Sequence, residues 1–326
     1  MRNRQAKRLG ITCIVLAVAF RLLSAGFFHP FFTLLHQFGA PFPLSWETGQ
    51  ALHPTPQIPT AAPTSPQETH PVPPPTQPQV LTFDPEELSG ISITYHAALS
   101  PSLENLLTQP LSWELSAKEP TVLIIHTHTT ETYTGNHIPY DGDYRTLDER
   151  YNMVCVGKEL QQALRQRGIC ALHDTNIYDY PDYDSAYAAA RNSIEEYLRR
   201  YPSIQMVLDL HRDASNTPTG QLTTSAIAGG QKTAQLMMVV GTDAGGLYHP
   251  HWQENLALAL KLTALLERSD PGISRPIDLR TQRFNMDLTP GSLLVEVGAA
   301  GDTPEEARIA VHALAQAIAE LSQGSS

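Results

Sequence analysis

From residue 122 onward, short apolar runs alternate with amphipathic stretches, and that alternation admits few folds. Val122–Ile125, Ile169–Leu172, Ile204–Leu210, Gln235–Val240 and Leu293–Val297 have the length and composition of buried strands. Residues 149–167, 184–200 and 252–266 read as helices, and 304–321 closes the chain the same way. Gly168 closes the first helix, Pro202 follows the second, and Thr303-Pro304 supplies a cap and first-turn proline for the last. Strands alternating with helices predict an α/β domain, a mostly parallel sheet flanked by helices. Ligands of such sheets gather outside the carboxyl ends of the strands.

The first quarter of the chain is different. Residues 1–8 form a basic tail with Arg2, Arg4, Lys7 and Arg8. An apolar run from Leu9 to Leu35 follows, interrupted by Arg21, His29 and Pro30. A bilayer core needs about 20 apolar residues in a helix, so residues 9–36 are expected to be a single transmembrane anchor. The basic flank places the N-terminus in the cytoplasm and everything after residue 36 outside the cell membrane. A cleaved signal peptide ending near Leu23-Ser24-Ala25 is the competing reading, and it exports the chain equally. Residues 37–81 hold 12 of the 26 prolines. Such a segment buries too little apolar surface to fold and is expected to be an extended, disordered linker. Residues 82–326 are then expected to be the extracytoplasmic globular domain.

The net charge of -11 is unevenly spread: residues 82–326 carry 17 Lys/Arg against 31 Asp/Glu. Nucleic-acid binding, which calls for a basic patch, is not expected. Cys155 and Cys170 lie in no metal-ligand spacing and read as two core cysteines rather than a disulfide framework.

Three polar clusters sit on or after three of the predicted strands. His126-Thr-His128-Thr-Thr-Glu131 follows Val122–Ile125, Asp209-Leu-His211-Arg212-Asp213 ends the third strand, and Glu296 interrupts Leu293–Val297. All three are expected to meet at one rim of the sheet. His128 and Glu131, three residues apart, can be aimed at one point by a turn, and His211 would complete the set. Two histidines and a carboxylate around an open position suit a catalytic Zn2+ ion. His126 is the alternate to His128, since both point the same way if the strand continues that far. A carboxylate in an apolar strand is costly unless paired or used, and Glu296 is the candidate catalytic base. Each cluster alone also has a structural reading: a helix cap, a core histidine beside an Asp209–Arg212 ion pair, or a Glu296 paired with Arg212 or Arg145.

These residues resemble the stage II sporulation protein P family. The similarity runs through Val122-Leu-Ile-Ile-His-Thr-His-Thr-Thr-Glu131-Thr-Tyr133, then Asn152–Gly157, Gly168-Ile169 with His173-Asp174, Asp179, Asp209–Ala214 and Val295–Gly298. It covers roughly residues 100–321. The resemblance implies a fold like the zinc amidases and carboxypeptidases. It implies hydrolysis of the muramoyl–L-alanine amide of peptidoglycan, with endopeptidase action on cross-links also attributed to the family. It further implies a role in engulfment during sporulation, with a lytic transglycosylase and a membrane scaffold protein as partners. In the related amidases the carboxylate ligand opens a helix, which makes Glu149 or Asp148 the alternate to Glu131. Arg145 and Arg212 are candidates for binding stem-peptide carboxylates, since Arg pairs with carboxylates in bidentate fashion, and structural salt bridges are their other reading. A non-catalytic binder on the same fold, or an exported zinc carboxypeptidase, are the competing functions.

Overall fold

The computed structural model describes residues 81–111, 113–134, 142–217 and 220–323. The basic tail, the expected anchor and almost all of the proline-rich linker lie outside these residues. Among the described residues no helix is long and apolar enough to cross a membrane.

In chain order the strands are β1 (Ile93–Tyr95), β2 (Val122–Ile125), β3 (Ala171–His173), β4 (Met206–Asp213), β5 (Asn216–Thr217), β6 (Gly220–Gln221), β7 (Ala226–Ala228), β8 (Gln231–Thr233), β9 (Leu236–Gly241), β10 (Ile277–Arg280) and β11 (Ser292–Ala299). The helices are α1 (Leu103–Thr108), α2 (Met153–Gln166), α3 (Ala186–Arg200), α4 (Trp252–Ser269) and α5 (Pro304–Gln323). Seven strands form one sheet in the order β1-β10-β9-β11-β4-β2-β3, and β5–β6 and β7–β8 are small antiparallel hairpins. The expected α/β class and mostly parallel sheet are present.

The sheet nevertheless changes direction once. Every neighbouring pair is parallel except β9 with β11, which run antiparallel. The carboxyl ends of β2, β4 and β11 therefore share a rim with the amino ends of β9 and β10. Register fixes the neighbours there: Glu296 lies beside His211 of β4 on one side and Met237 of β9 on the other.

Period-two alternation divides the side chains between two faces. Val122 and Ile124 join the main core with α2, α4 and α5, while Leu123, Ile125 and Val207 pack under α3. Val239 and Leu294 pack with Met286, and the partly buried Met237 and Phe284 lie against them. That second face is thus sheltered over β2 and β4 but open as a cleft over β9, β10 and β1. Helix α4 is buried along Asn255–Leu266, as expected of a helix apolar nearly all round.

Several elements differ from expectation. Helix α2 starts at Met153 rather than 149, because the Asn152 side chain caps it by accepting from Val154 N–H. Strands β1 and β10 are too short to stand out by pattern, and the pairing of β10 with β9 and of β1 with β10 makes them strands. Cys155 and Cys170 are free thiols, and both are half-buried rather than fully in the core. Burial pushes the Cys155 thiol up to about 11.

Candidate active site

Strand β2 stops at Ile125, and residues 127–130 turn. His126 still follows the strand alternation, on the face of Val122 and Ile124. It is fully buried there, with Nε2 2.8 Å from His173 Nε2 and Nδ1 3.2 Å from the Leu210 carbonyl. Burial first, then the neighbouring His173, press its pKa down to about 3. His126 and His128 do not point the same way, because the turn intervenes.

Two carboxylates hold that turn. Asp209 accepts from Thr127 N–H at 2.7 Å and from its hydroxyl at 2.6 Å. Asp179 accepts from Thr130 N–H at 3.1 Å and from its hydroxyl at 2.6 Å, and Arg145 Nη1 lies 2.6 Å from the same carboxylate. Thr129 Oγ1 donates back to the His126 carbonyl at 2.7 Å. Each threonine of His-Thr-His-Thr-Thr therefore has its hydroxyl satisfied, and the next turn delivers His128 and Glu131 into the cleft.

There they meet His211. One donor atom from each of His128, Glu131 and His211 lies within 4.8 Å of the others. His128 Nδ1 is 3.5 Å from Glu131 Oε1, and His211 Nδ1 is 3.4 Å from Glu131 Oε2. Those separations are long for hydrogen bonds. They suit two ligands of one tetrahedral ion, whose donors, with bonds of about 2.1 Å, stand roughly 3.4 Å apart. Two imidazole nitrogens and one carboxylate also match the donor chemistry of zinc with a position left open. On its far side His211 Nε2 is 3.0 Å from Asp209 Oδ1, too poorly aligned for a hydrogen bond but placed to orient the ring. Burial opposes a charge on His211, yet Asp209 and Glu131 hold its pKa well above the ordinary value. Burial likewise opposes a charge on Glu131, and His128, His211 and Arg212 outweigh it, holding the carboxyl well below the usual range.

Glu296 lines the same cleft, on β11 beside His211. Its Oε2 is shut off from water and has no hydrogen-bond partner. Burial foremost, with Glu131 and Asp213 adding repulsion against the pull of His211 and Arg212, pushes its pKa up to about 8. It pairs with neither Arg145 nor Arg212.

Arg212 is fully buried and fastens the loop after Glu131. Nε donates to the Thr132 carbonyl and Nη2 to that of Tyr144, while its own N–H donates to Glu131 Oε2 at 3.2 Å. Nη1 stands 3.6 Å from Glu131 Oε1 with no hydrogen-bond acceptor. Arg145 combines its Asp179 pair with a place over the Tyr183 ring at 4.4 Å. Both arginines line a cavity of about 740 Å³ beside the cleft. Glu149 is exposed on the turn before α2 and is not part of the cluster.

Two aromatic residues at the site carry no sequence motif. The Tyr183 ring stacks on His128 at 4.5 Å, and Tyr187, in the first turn of α3, meets His128 edge-on at 5.4 Å. Phe284 and Asn285 adopt φ of 49° and 58°, and Asn285 Nδ2 donates to the Tyr187 carbonyl at 2.8 Å. Left-handed backbone is tolerable for Asn and strained for Phe, and such strain concentrates at functional sites.

Fold and site together define an α/β protein with a His–Glu–His cluster, fit for a metal ion, whose Glu131 and His211 are buried and whose His128 is partly exposed, in a cleft that also holds an unpaired carboxylate oxygen. The chain belongs to the stage II sporulation protein P (SpoIIP) family, whose pattern it matches over residues 64–319. It is 28% identical over 211 residues to the stage II sporulation protein P of Bacillus subtilis (strain 168). That alignment takes in 61% of this chain and 50% of the relative, so the chain spans about half the length of the relative it matches. Among solved structures it is similar to the CwlD amidase from Clostridioides difficile, there in complex with the GerS lipoprotein, at 12% identity and a TM-score of 0.39 over 63% of this chain and 98% of that one. The N-acetylmuramyl-L-alanine amidase Ami1 from Mycobacterium smegmatis is 13% identical with a TM-score of 0.38, over 65% of this chain and 100% of that one.

Proposed function

We propose that this protein is a peptidoglycan hydrolase of sporulation that cleaves the muramoyl–L-alanine amide, with peptide cross-links as further substrates. The observation that carries the reading is the meeting of His128, Glu131 and His211 beside the unpaired Glu296 in one cleft. His128, Glu131 and His211 are the ligands of a zinc ion. When bound, that ion supplies Lewis acidity toward a carbonyl oxygen and lowers the pKa of water in the site to about 7.

The chain's own residues supply the rest. Asp209 orients His211, as Arg212 N–H orients Glu131. Glu296 accepts a proton from the attacking water and returns one to the leaving amine. Its place on β11 beside His211, in the same cleft as the cluster, suits both halves of that transfer. Arg145, on the wall of the adjoining cavity, is the proposed contact for substrate carboxylates, whereas the buried Arg212, held by the Thr132 and Tyr144 carbonyls, keeps the structural role.

Residues 9–36 anchor the protein in the cell membrane, residues 37–81 are the spacer, and residues 82–326 act outside the membrane. A lytic transglycosylase and a membrane scaffold protein are the proposed partners. Protease added to intact wall-free cells degrades residues 37–326 under this topology, and protection would reverse it. Incubation of the zinc-loaded protein with purified muropeptides and with a plain peptide tests the chemistry. Release of intact stem peptides with a free L-alanine amine supports the amidase. Trimming of the plain peptide alone points to a carboxypeptidase, and no product points to a binding protein.

A further inference from the structure

A separate cavity lies at the rim of the sheet away from the metal cluster. It measures about 600 Å³ and shares no lining residue with the cleft. Strand register sets the two apart. Met237 of β9 lies beside Glu296, and β9 then runs four residues on to Gly241. That is roughly 13 Å at about 3.3 Å per residue. The loop beyond, from Asp243 through Tyr248 and His249, forms one side of the cavity and leads into α4 at Trp252. The end of α1 and Trp113 form the other side.

Its lining combines rings with hydrogen-bonding groups. Trp113 is buried, Trp252 is half-buried, and Tyr248 is 79% exposed. Rings so placed have apolar surface that a flat ligand can cover. Asp243 and Glu254 are the charged side chains, and the described lining residues include no Lys or Arg. A phosphate or carboxylate is therefore repelled. Ionised carboxylates only accept hydrogen bonds, so they call for hydroxyl or N–H donors, whereas the amides of Gln109 and Gln253 both donate and accept. His249 is 1% exposed, and neither ring nitrogen has a hydrogen-bond partner. Buried polar groups are rarely left unpaired, and this one stands at the wall of a cavity.

These groups select between ligands. An ammonium would satisfy the carboxylates and the rings but leave the glutamine NH2 groups without acceptors. A sugar uses them all. Its C–H face covers a Trp or Tyr ring, its hydroxyls donate to Asp243 and Glu254, and an acetamide substituent pairs with a glutamine amide. The volume falls within the range of ligand pockets, about 300–1,000 Å³.

We propose that the cavity between the end of α1 and the start of α4 is a second binding site, for a short neutral oligosaccharide of N-acetylated sugars. The site goes beyond the hydrolase reading and does not depend on the metal cluster. A protein so built holds a glycan segment at one rim of its sheet while the other rim carries the cleft.

The test uses the purified full chain and chitotetraose, a neutral tetramer of N-acetylglucosamine that carries no stem peptide. Calorimetric titration should show saturable binding. Tyr248→Ala should weaken it about tenfold or more, the worth of one covered ring. Because Tyr248 is exposed, the variant should melt at the wild-type temperature, which separates lost binding from lost fold. Tetragalacturonate, an anionic tetramer, should not bind. Absence of chitotetraose binding, undiminished binding by Tyr248→Ala, equal binding of tetragalacturonate, or binding of spermidine in place of the sugar overturns the site. Muropeptide cleavage by the same wild-type preparation is scored separately. Chitotetraose binding without cleavage sinks the hydrolase reading and leaves the site, whereas cleavage without chitotetraose binding does the reverse.

Discussion

At the scale of single residues, ligand and base should fail differently. His211→Ala removes a donor, so the protein should lose both zinc and turnover. Glu296→Gln keeps size and removes the proton acceptor, so it should keep zinc and lose turnover by about 10²–10⁴-fold. Metal analysis beside a muropeptide assay decides between them. A Glu131→Ala protein that still holds zinc while Glu149→Ala does not would move the carboxylate ligand to the turn before α2. Gly157 offers a second test. A Cβ there would come within 2.4 Å of both His126 Nε2 and His173 Nε2. Alanine in place of a helical glycine ordinarily gains about 1 kcal/mol. Overpacking the buried His126 ring and the half-buried His173 ring costs about 1–3 kcal/mol. The net effect of Gly157→Ala should be a loss, read as a lower denaturation midpoint. His128, Glu131, His211 and Glu296 were all legible in the sequence as polar breaks in apolar runs. Tyr183 and Tyr187 were not, because an aromatic residue ahead of or within a helix reads as ordinary packing until the fold brings it against His128.

At the scale of elements, helix α4 buries a lysine. Lys261 Nζ donates to the Leu107 carbonyl at the end of α1 and stands 4.5 Å from the Phe83 ring. Burial lowers its pKa to about 8. The sign follows from linkage. Between about pH 8 and 10.5 the unfolded chain binds the proton that the folded chain has released, so stability rises with pH across that window. Lys261→Met has no such term. The wild type should therefore gain on the variant by about 1 kcal/mol, after allowance for screening, as pH climbs from 8 to 10.5. Urea melts of both proteins at the two pH values measure it, and parallel curves would show that the ammonium is solvated. Apolar period and capping residues made β2, β4, β9, β11 and the four long helices readable. Strands β1 and β10 hold three and four residues, too few to show a period, and Asp278 and Arg280 carry no strand signal of their own.

At the scale of the whole molecule, the site links separated parts of the chain, so its ligand should stabilise the fold. Zinc at about 100 times its dissociation constant should add about 2.7 kcal/mol. For a domain of this size that raises Tm by roughly 5–10 °C, and a chelator should reverse it. No shift on adding zinc, with His211→Ala melting like the wild type, would argue against a resident ion. What the sequence determined by itself was local: which runs are strands, which stretches are helices, and which polar residues interrupt them, because period and burial cost are properties of neighbouring residues. What only the tertiary structure decided was relative placement. Strand β2 ends one residue before His126, so a turn sends His128 to the cleft and leaves His126 behind α2. One antiparallel pairing brings the start of β10 to the rim where β4 and β11 end. Both depend on hydrogen bonds between residues far apart in the chain, and no local pattern encodes which distant strand will be the neighbour.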